Sequence, residues 1–283
     1  MNNYFDFKKR TTINHDVQCC DMETWRKNSF EYSCCKHPNG FCIFLNPEEI
    51  DKYDEYKINQ DPFSILRDFD NAFHKRRLKC TIDLIKSLNS ESRCKLLDIG
   101  CGQGLLTNAF KKEFSDYDVY GLDRSITAIE YANSNFSNID FVVADAYNAP
   151  FEEEYFDIIV CNNIWEHLPD PLNMLNSIRR ILKINGQLII STPSRYHVRN
   201  LVRALMGKNV ILSKHHITEY TVGQIEEQLK FGGFKIHKTY SPIIKEADWK
   251  MQALKLIFYC FLRTIKSHHV LESTVFYSAI RIS

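Results

Sequence analysis

The run Lys-Leu-Leu-Asp-Ile-Gly-Cys-Gly-Gln-Gly at residues 95–104 constrains this chain more than any other stretch. Leu96, Leu97 and Ile99 are the short apolar series of a strand buried on both faces, and a helical pattern starts at Leu105, directly after the glycines. A strand, a glycine turn and a helix make the nucleotide-holding corner of a doubly wound α/β sheet. Glycine is needed there because any Cβ would collide with a closely approaching ligand. The spacing excludes two common versions of this corner. A dinucleotide fingerprint would need a third glycine where Leu105 stands, and a phosphate-cradling loop would need a Gly-Lys-Ser/Thr that does not follow.

Acids stand at the ends of the strands that come next. Asp118-Val119-Tyr120-Gly121-Leu122-Asp123 ends in Asp123, where an acid faces the ligand crevice and can accept both ribose hydroxyls. The alternative for Asp123 is a cap on the helix that begins near Ser125. A third strand over 139–144 ends at Asp145-Ala146, and a fourth over 155–163 carries Cys161 and Asn162. Asp98, Asp123 and Asp145 therefore meet at one crevice, which points to an adenosine-type ligand.

With glycines at 100, 102 and 104 behind Asp98, the D-x-G-x-G-x-G form resembles the first motif of class I S-adenosylmethionine-dependent methyltransferases. Trp165-Glu166-His167-Leu168-Pro169-Asp170-Pro171 is similar to the E-H-L/V-x-D-P stretch of the branch that includes the ubiquinone O-methyltransferases. The resemblance covers residues 61–283 and implies an α/β, doubly wound seven-stranded sheet of order 3-2-1-4-5-7-6 with strand 7 antiparallel. It assigns Asp98, Gly100, Cys101, Gly102, Gly104, Asp123, Arg124, Asp145, Ala146 and Asn162 to S-adenosylmethionine, with Asp145 meeting the adenine amino group. It assigns catalysis to Glu166 and His167, the imidazole serving as general base. The alternative is that these two fix the loop through backbone hydrogen bonds while Trp165 packs on the adenosine. In that branch an acid three residues before the Glu-His pair helps to hold a divalent cation; Asn163 stands there, so no metal is assigned.

Upstream, Phe63, Leu66, Phe69, Phe73, Leu78, Ile82, Ile85 and Leu88 recur at helical steps, with Asp61-Pro62 as the start of a helix over 61–90. In the resembling family an arginine on this helix meets the methionine carboxylate. Arg76 or Arg77 could serve, although His74-Lys75-Arg76-Arg77 reads first as a solvated basic face. Downstream, a helix from Pro171 and a fifth strand over 187–193 precede an irregular insert at 194–217 that holds Arg195, His197, Arg199, Arg203, His215 and His216. Inserts there form acceptor walls or plain solvated loops. A helix over 220–231 and strands over 234–239 and 274–282 complete the pattern. A nicotinamide-dependent oxidoreductase, one rival reading, would offer a sixth parallel strand instead of this closing pair. The other rival is a non-catalytic scaffold that keeps the cofactor fold.

Residues 1–60 differ in texture and are read as a cysteine-rich N-terminal extension preceding a methyltransferase domain at 61–283. Phe44-Leu45-Asn46-Pro47, Tyr53 and Tyr56 resemble the tail of the zinc-ribbon extensions found on some bacterial methyltransferases. Cys19-Cys20 and Cys34-Cys35 are adjacent rather than spaced by two, and neighbours on a strand point to opposite faces, so the ribbon reads as degenerate. A site from Cys19 or Cys20, Cys34 or Cys35, His37 and Cys42 stays open beside a metal-free, thiol-rich subdomain.

Charge is balanced, 36 basic against 35 acidic residues, which gives no reason to expect a nucleic-acid partner. Met1 to Arg10 does not read as a signal peptide, and ten cysteines in a chain of this size read as reduced thiols of a cytoplasmic protein. At 249–266, Lys255, Arg263 and Lys266 lie opposite Leu254, Ile257, Phe258, Phe261 and Ile265, a helix suited to packing on the sheet or to peripheral membrane contact. The expected activity is methyl transfer to a small or lipid-linked acceptor, at oxygen by resemblance.

Overall fold

The computed structural model describes residues 3–5, 12–14, 21–27, 30–37, 39–45, 56, 61–63, 65–87, 93–210, 215–241 and 273–282, with single positions at 249, 253, 256, 257 and 260. The strands are β1 (Asn3–Phe5), β2 (Thr12–Asn14), β3 (Asp21–Lys27), β4 (Phe30–Lys36), β5 (Cys42–Ile43), β6 (Lys95–Ile99), β7 (Asp118–Asp123), β8 (Asp140–Val143), β9 (Phe156–Asn162), β10 (Leu182–Pro193), β11 (Phe234–Tyr240) and β12 (Thr274–Arg281). The helices are α1 (Ile65–Asp68), α2 (Ala72–Lys86), α3 (Leu105–Glu113), α4 (Ile126–Asn135), α5 (Pro171–Ile181), α6 (Val198–Leu205) and α7 (Val222–Phe231).

From β6 onward the sheet runs β8-β7-β6-β9-β10-β12-β11, which is the expected 3-2-1-4-5-7-6 order. β12 is antiparallel to both β10 and β11, where a nicotinamide enzyme would have continued in parallel. The sheet then extends beyond the expected edge. β5 pairs in parallel with β8, and the hairpin β4–β3 follows, so one ten-stranded sheet holds β3, β4 and β5 together with the later strands, while β1 and β2 pair with each other. Phe41, Ile43 and Leu45 are buried in the same cluster as Leu84, Phe110 and Ile129. Cys19 and Cys20, two of the early cysteines considered for a zinc site, lie outside the described residues.

The sheet is covered on both faces because β6 alternates within its buried run. Leu96 joins the cluster built with α2, α3 and α4, whereas Leu97 and Ile99 join the one built with α5 and α7. That parity places Asp98 on the α2–α3 face, beside Thr107 and Arg77 rather than in the opposite core. Cys101 and Cys161 are buried and unbridged, as reduced thiols.

Two local expectations are corrected. Residues 61–90 do not form one helix capped at Asp61. The polar run Asp68-Phe69-Asp70-Asn71 breaks it, and Asn71 caps α2 by accepting from the His74 N–H. Asp61 serves α1 instead, accepting from the Leu66 N–H at 2.6 Å. The cap expected as an alternative for Asp123 belongs to Ser125, whose hydroxyl accepts from the Ala128 N–H at 3.0 Å.

Gly104 has φ +76, and a Cβ there would lie 2.9 Å from both Ala132 Cβ and Phe141 Cζ. Gly104→Val therefore combines backbone strain with overpacking and should cost about 2–4 kcal/mol. Urea unfolding followed by the fluorescence of buried Trp165 measures it; an unchanged midpoint would contradict the packing described.

Candidate active site

A cavity of about 460 Å³ opens at the C-terminal ends of β6, β7 and β9, where open α/β sheets place their ligands. Asp98, Gly100, Cys101, Asp123, Arg124, Asn162, Glu166 and His167 all line it. Gly102 and Gly104 are one layer back and shape the turn. Asp145 and Ala146 are not in the cavity wall: the Asp145 carboxylate accepts from the Tyr147 N–H at 2.9 Å and caps a short 3-10 turn. Trp165 does not reach the cavity either. It is fully buried between α5 and α7, and its indole N–H donates to Gln228 Oε1 at 2.9 Å.

Asp123 holds the glycine turn. Its Oδ2 accepts from the Gly102 N–H at 2.7 Å and its Oδ1 from the Ser125 N–H at 2.9 Å. A carboxylate only accepts, which is the chemistry that a pair of vicinal hydroxyls requires. Asp98 accepts from the Thr107 hydroxyl at 2.7 Å. Burial pushes its carboxyl up to about 7, a rise that the Thr107 hydrogen bond and the Arg77 charge only partly offset.

Arg77 overturns the reading of 74–77 as a solvated face. The side chain is 5% exposed, His74 beside it is equally buried, and only Lys75 faces water freely. Its Nη1 donates to Asn163 Oδ1 at 3.3 Å and its Nη2 to His74 Nδ1 at 3.2 Å. Burial lowers the guanidinium to about 10, while Asp98 and Glu166 pull it back up. Two donors in this region have no hydrogen-bond partner among the described residues: Arg77 Nε and Asn162 Nδ2. Buried unsatisfied donors are costly, and a carboxylate brought in by a ligand would satisfy them. That donor pair, with the Asp123 acceptors and the glycine turn, fits a ligand bearing a ribose and an amino-acid tail.

At the other end, Asn163 adopts a left-handed φ of 53°, which asparagine tolerates better than most residues. Its Nδ2 donates to Glu166 Oε1 at 3.1 Å, and the Thr192 hydroxyl donates to Glu166 Oε2 at 3.1 Å. Burial raises the Glu166 carboxyl above its usual range. His167 lines up through Nδ1, which is 2.9 Å from the His215 carbonyl; a carbonyl only accepts, so Nδ1 carries the proton and Nε2 the lone pair. Burial pushes this imidazole down from 6.5, so it is neutral at pH 7. The loop is also fixed through its backbone, because the Glu166 carbonyl accepts from the Ile217 and Thr218 N–H groups. Both roles weighed for the pair are thus compatible with one geometry.

The sequence reasoning missed Tyr56, His74 and Asn163 as wall residues, and named His216 only as part of a scattered insert. Tyr56 is the least obvious. Its hydroxyl would be 2.4 Å from a Cβ on Gly102, so it lies directly over the glycine turn, and burial with the nearby Asp123 charge holds its phenol well above the usual range.

This strand order, with an acid after each of the first two strands and a glycine turn between them, defines a class I methyltransferase-type domain. Residues 90–253, more than half of the chain, match the family described as "Methyltransferase domain", and the chain belongs to that family. It is 31% identical over 162 residues to the ubiquinone biosynthesis O-methyltransferase of Histophilus somni, covering 53% of this chain and 65% of that protein. It is 32% identical over 112 residues to the demethylmenaquinone methyltransferase of Thermotoga maritima, covering 40% and 48%. The chain thus spans 65% and 48% of the length of these two curated relatives. Among solved structures, magnesium protoporphyrin IX methyltransferase from Synechocystis with bound SAH superposes with a TM-score of 0.53 at 15% identity, over 74% of this chain and 83% of that one. A SAM dependent methyltransferase from Archaeoglobus fulgidus gives 0.53 at 18% identity, over 81% and 100%. At such identities these two speak for the fold.

Asp98→Asn keeps the acceptor for Thr107 and removes a buried charge. Because the folded carboxyl sits near 7 and an unfolded one near about 4, the wild type loses stability as pH rises through this window. The asparagine variant should therefore melt above the wild type at pH 8 and level with it at pH 4. Equal melting curves at pH 8 would refute the assignment.

Proposed function

We propose that this protein transfers a methyl group from S-adenosylmethionine to an oxygen of a small or lipid-linked acceptor. The observation that carries the reading is one cavity with two chemically distinct ends: unpartnered donors of Arg77 and Asn162 beside Asp98 and Asp123 at one, and Glu166 with a neutral His167 at the other. The relatives named for quinone methylation support the acceptor class.

When bound, S-adenosylmethionine supplies an electrophilic methyl on a sulfonium. Arg77 and Asn162 would hold its carboxylate, Asp123 its ribose hydroxyls, and Asp98 the cationic side of its amino-acid tail. Asp145, held in its turn through Oδ1, would offer Oδ2 to the adenine amino group. Arg124 and Ala146 flank these positions. The protein's task is to hold donor and acceptor in line and exclude water, which is where most of the rate enhancement in such a reaction arises. Without a metal, His167 Nε2 is the lone pair placed to take the acceptor's proton. Among the described residues no helix is long and apolar enough to cross a membrane. Peripheral contact is supported by the exposed Leu201, Val202 and Leu205 of α6 and by exposed Trp249, Leu256 and Ile257; apart from these, Ala253 and Cys260, the 249–266 segment lies outside the described residues.

Calorimetry with S-adenosylmethionine tests the cofactor half. Wild type should bind at micromolar Kd, and Asp123→Ala and Arg77→Gln should each weaken binding by at least tenfold; no binding by the wild type would sink the proposal. Since a bound cation favours the charged form of Asp98, binding at pH 6.5 should release protons, read as a dependence of the heat on buffer ionisation enthalpy. Once an acceptor is found, the acid limb of the kcat profile should fall below pH 6.5, because a lowered imidazole stays neutral into more acid solution.

A further inference from the structure

Tyr56 belongs to the early segment by sequence and to the cavity by position. It is 6% exposed and lines the same wall as Asp98, Asp123 and Arg77. Its hydroxyl occupies the place that a Cβ on Gly102 would need, with Cζ 3.3 Å from that point. Glycine at 102 is therefore required twice, by φ +53 and by the phenol that covers it. From its other side the turn is held by the 2.7 Å bond from the Gly102 N–H to Asp123 Oδ2.

The chain is tied down on both sides of this residue. Upstream, the Phe44 N–H donates to the Val143 carbonyl at 2.8 Å beside the β5–β8 pairing, and Ile43 and Leu45 are buried. Downstream, Asp61 is 5% exposed and accepts from the Leu66 N–H at the start of α1. The Tyr56 ring lies 5.8 Å from that of Phe63, and Phe63 meets the His167 ring edge-on at 5.8 Å. An aromatic line thus runs along the cavity from the glycine turn to the Glu-His turn.

The chemistry of the hydroxyl follows from its neighbours. Burial first, then the Asp123 and Asp61 charges, push the phenol well above its ordinary range, and the Arg77 guanidinium offsets this only in part. At neutral pH it is a neutral donor set among charged groups. The same wall carries Arg77, whose Nε is unpartnered among the described residues, and Asn162, whose Nδ2 is likewise unpartnered. Ribose hydroxyls satisfy Asp123 by donating to it, whereas a carboxylate can only accept and draws on whatever donors surround it.

We infer that Tyr56 is a further cofactor-binding residue, its hydroxyl donating to the carboxylate of the amino-acid tail beside Arg77 and Asn162. The early segment is then a working part of the site, and the boundary at residue 61 divides the sequence without dividing the function. The inference rests on reading this cavity as the S-adenosylmethionine site.

The test is calorimetry on the full chain with two ligands: S-adenosylmethionine, and decarboxylated S-adenosylmethionine, which lacks only the carboxylate and is titrated by displacement. Tyr56→Phe keeps the ring against Phe63 and removes the hydroxyl alone. It should weaken S-adenosylmethionine about tenfold, the effect of one hydrogen bond to a charged acceptor, and leave the Kd of the decarboxylated ligand unchanged. Unaltered binding of the second ligand also verifies that the variant keeps its fold and its adenosine site. A merely structural role for the phenol would weaken both ligands alike, and that result would overturn the assignment. So would an S-adenosylmethionine Kd equal to that of the wild type, which leaves the methyl-transfer reading in place. Failure of the wild type to bind S-adenosylmethionine removes that reading, and this inference with it.

Discussion

The 2.7 Å hydrogen bond between the Gly102 N–H and Asp123 Oδ2 joins the ends of β6 and β7, and the pocket is arranged around it. For the bond to form, the backbone at 102 must turn through a positive φ with no Cβ in the way, and the Tyr56 ring fills the space that a Cβ would need. The strand spacing fixes where Asp123 stands, and the turn then directs α3 so that Thr107 meets Asp98. One small contact between an amide and a carboxylate therefore fixes both acids relative to the glycines.

The two ends of the cavity are linked by a polar chain. Arg77 donates to Asn163, Asn163 donates to Glu166, and the Glu166 backbone receives the insert that carries His216. Every member is buried or half-buried, so each bond acts in a medium where losing a partner is costly. A change at the guanidinium is thereby felt at the carboxylate through one intervening side chain.

The parts of this protein that sequence made legible are those in which periodicity and chemistry coincide. The apolar strand runs, the glycine spacing and the acids at strand ends predicted the strands and the crevice they surround, and the family resemblance they carry implied the order of seven strands. What remained hidden depends on tertiary placement. Arg77 sits in a run of four polar residues, and helical geometry turns it inward while Lys75 points out; nothing in the local pattern distinguishes them. Asp145 stands where an adenine acceptor is expected, yet its Oδ1 caps a short 3-10 turn by accepting from the Tyr147 amide, a local role that the strand pattern does not reveal. Tyr56 is forty-six positions before Gly102 and meets it only once the sheet has closed. Trp165 looked like a stacking residue because of its neighbours, but the 3-10 turn it opens and its bond to Gln228 of α7 take it into the core.

β5 is two residues long, yet it changes what the sheet's edge is. By pairing with β8 it covers a row of amides and carbonyls that would otherwise be open, and it brings Ile43 into the core beneath α4. A chain cut at residue 60 would retain every strand of the methyltransferase order and still lack this cover. It would offer β8 as a free template for pairing with another chain, and leave a hole where Phe41, Ile43 and Leu45 had packed. The early segment thus covers β8 and moves the sheet's edge out to β3.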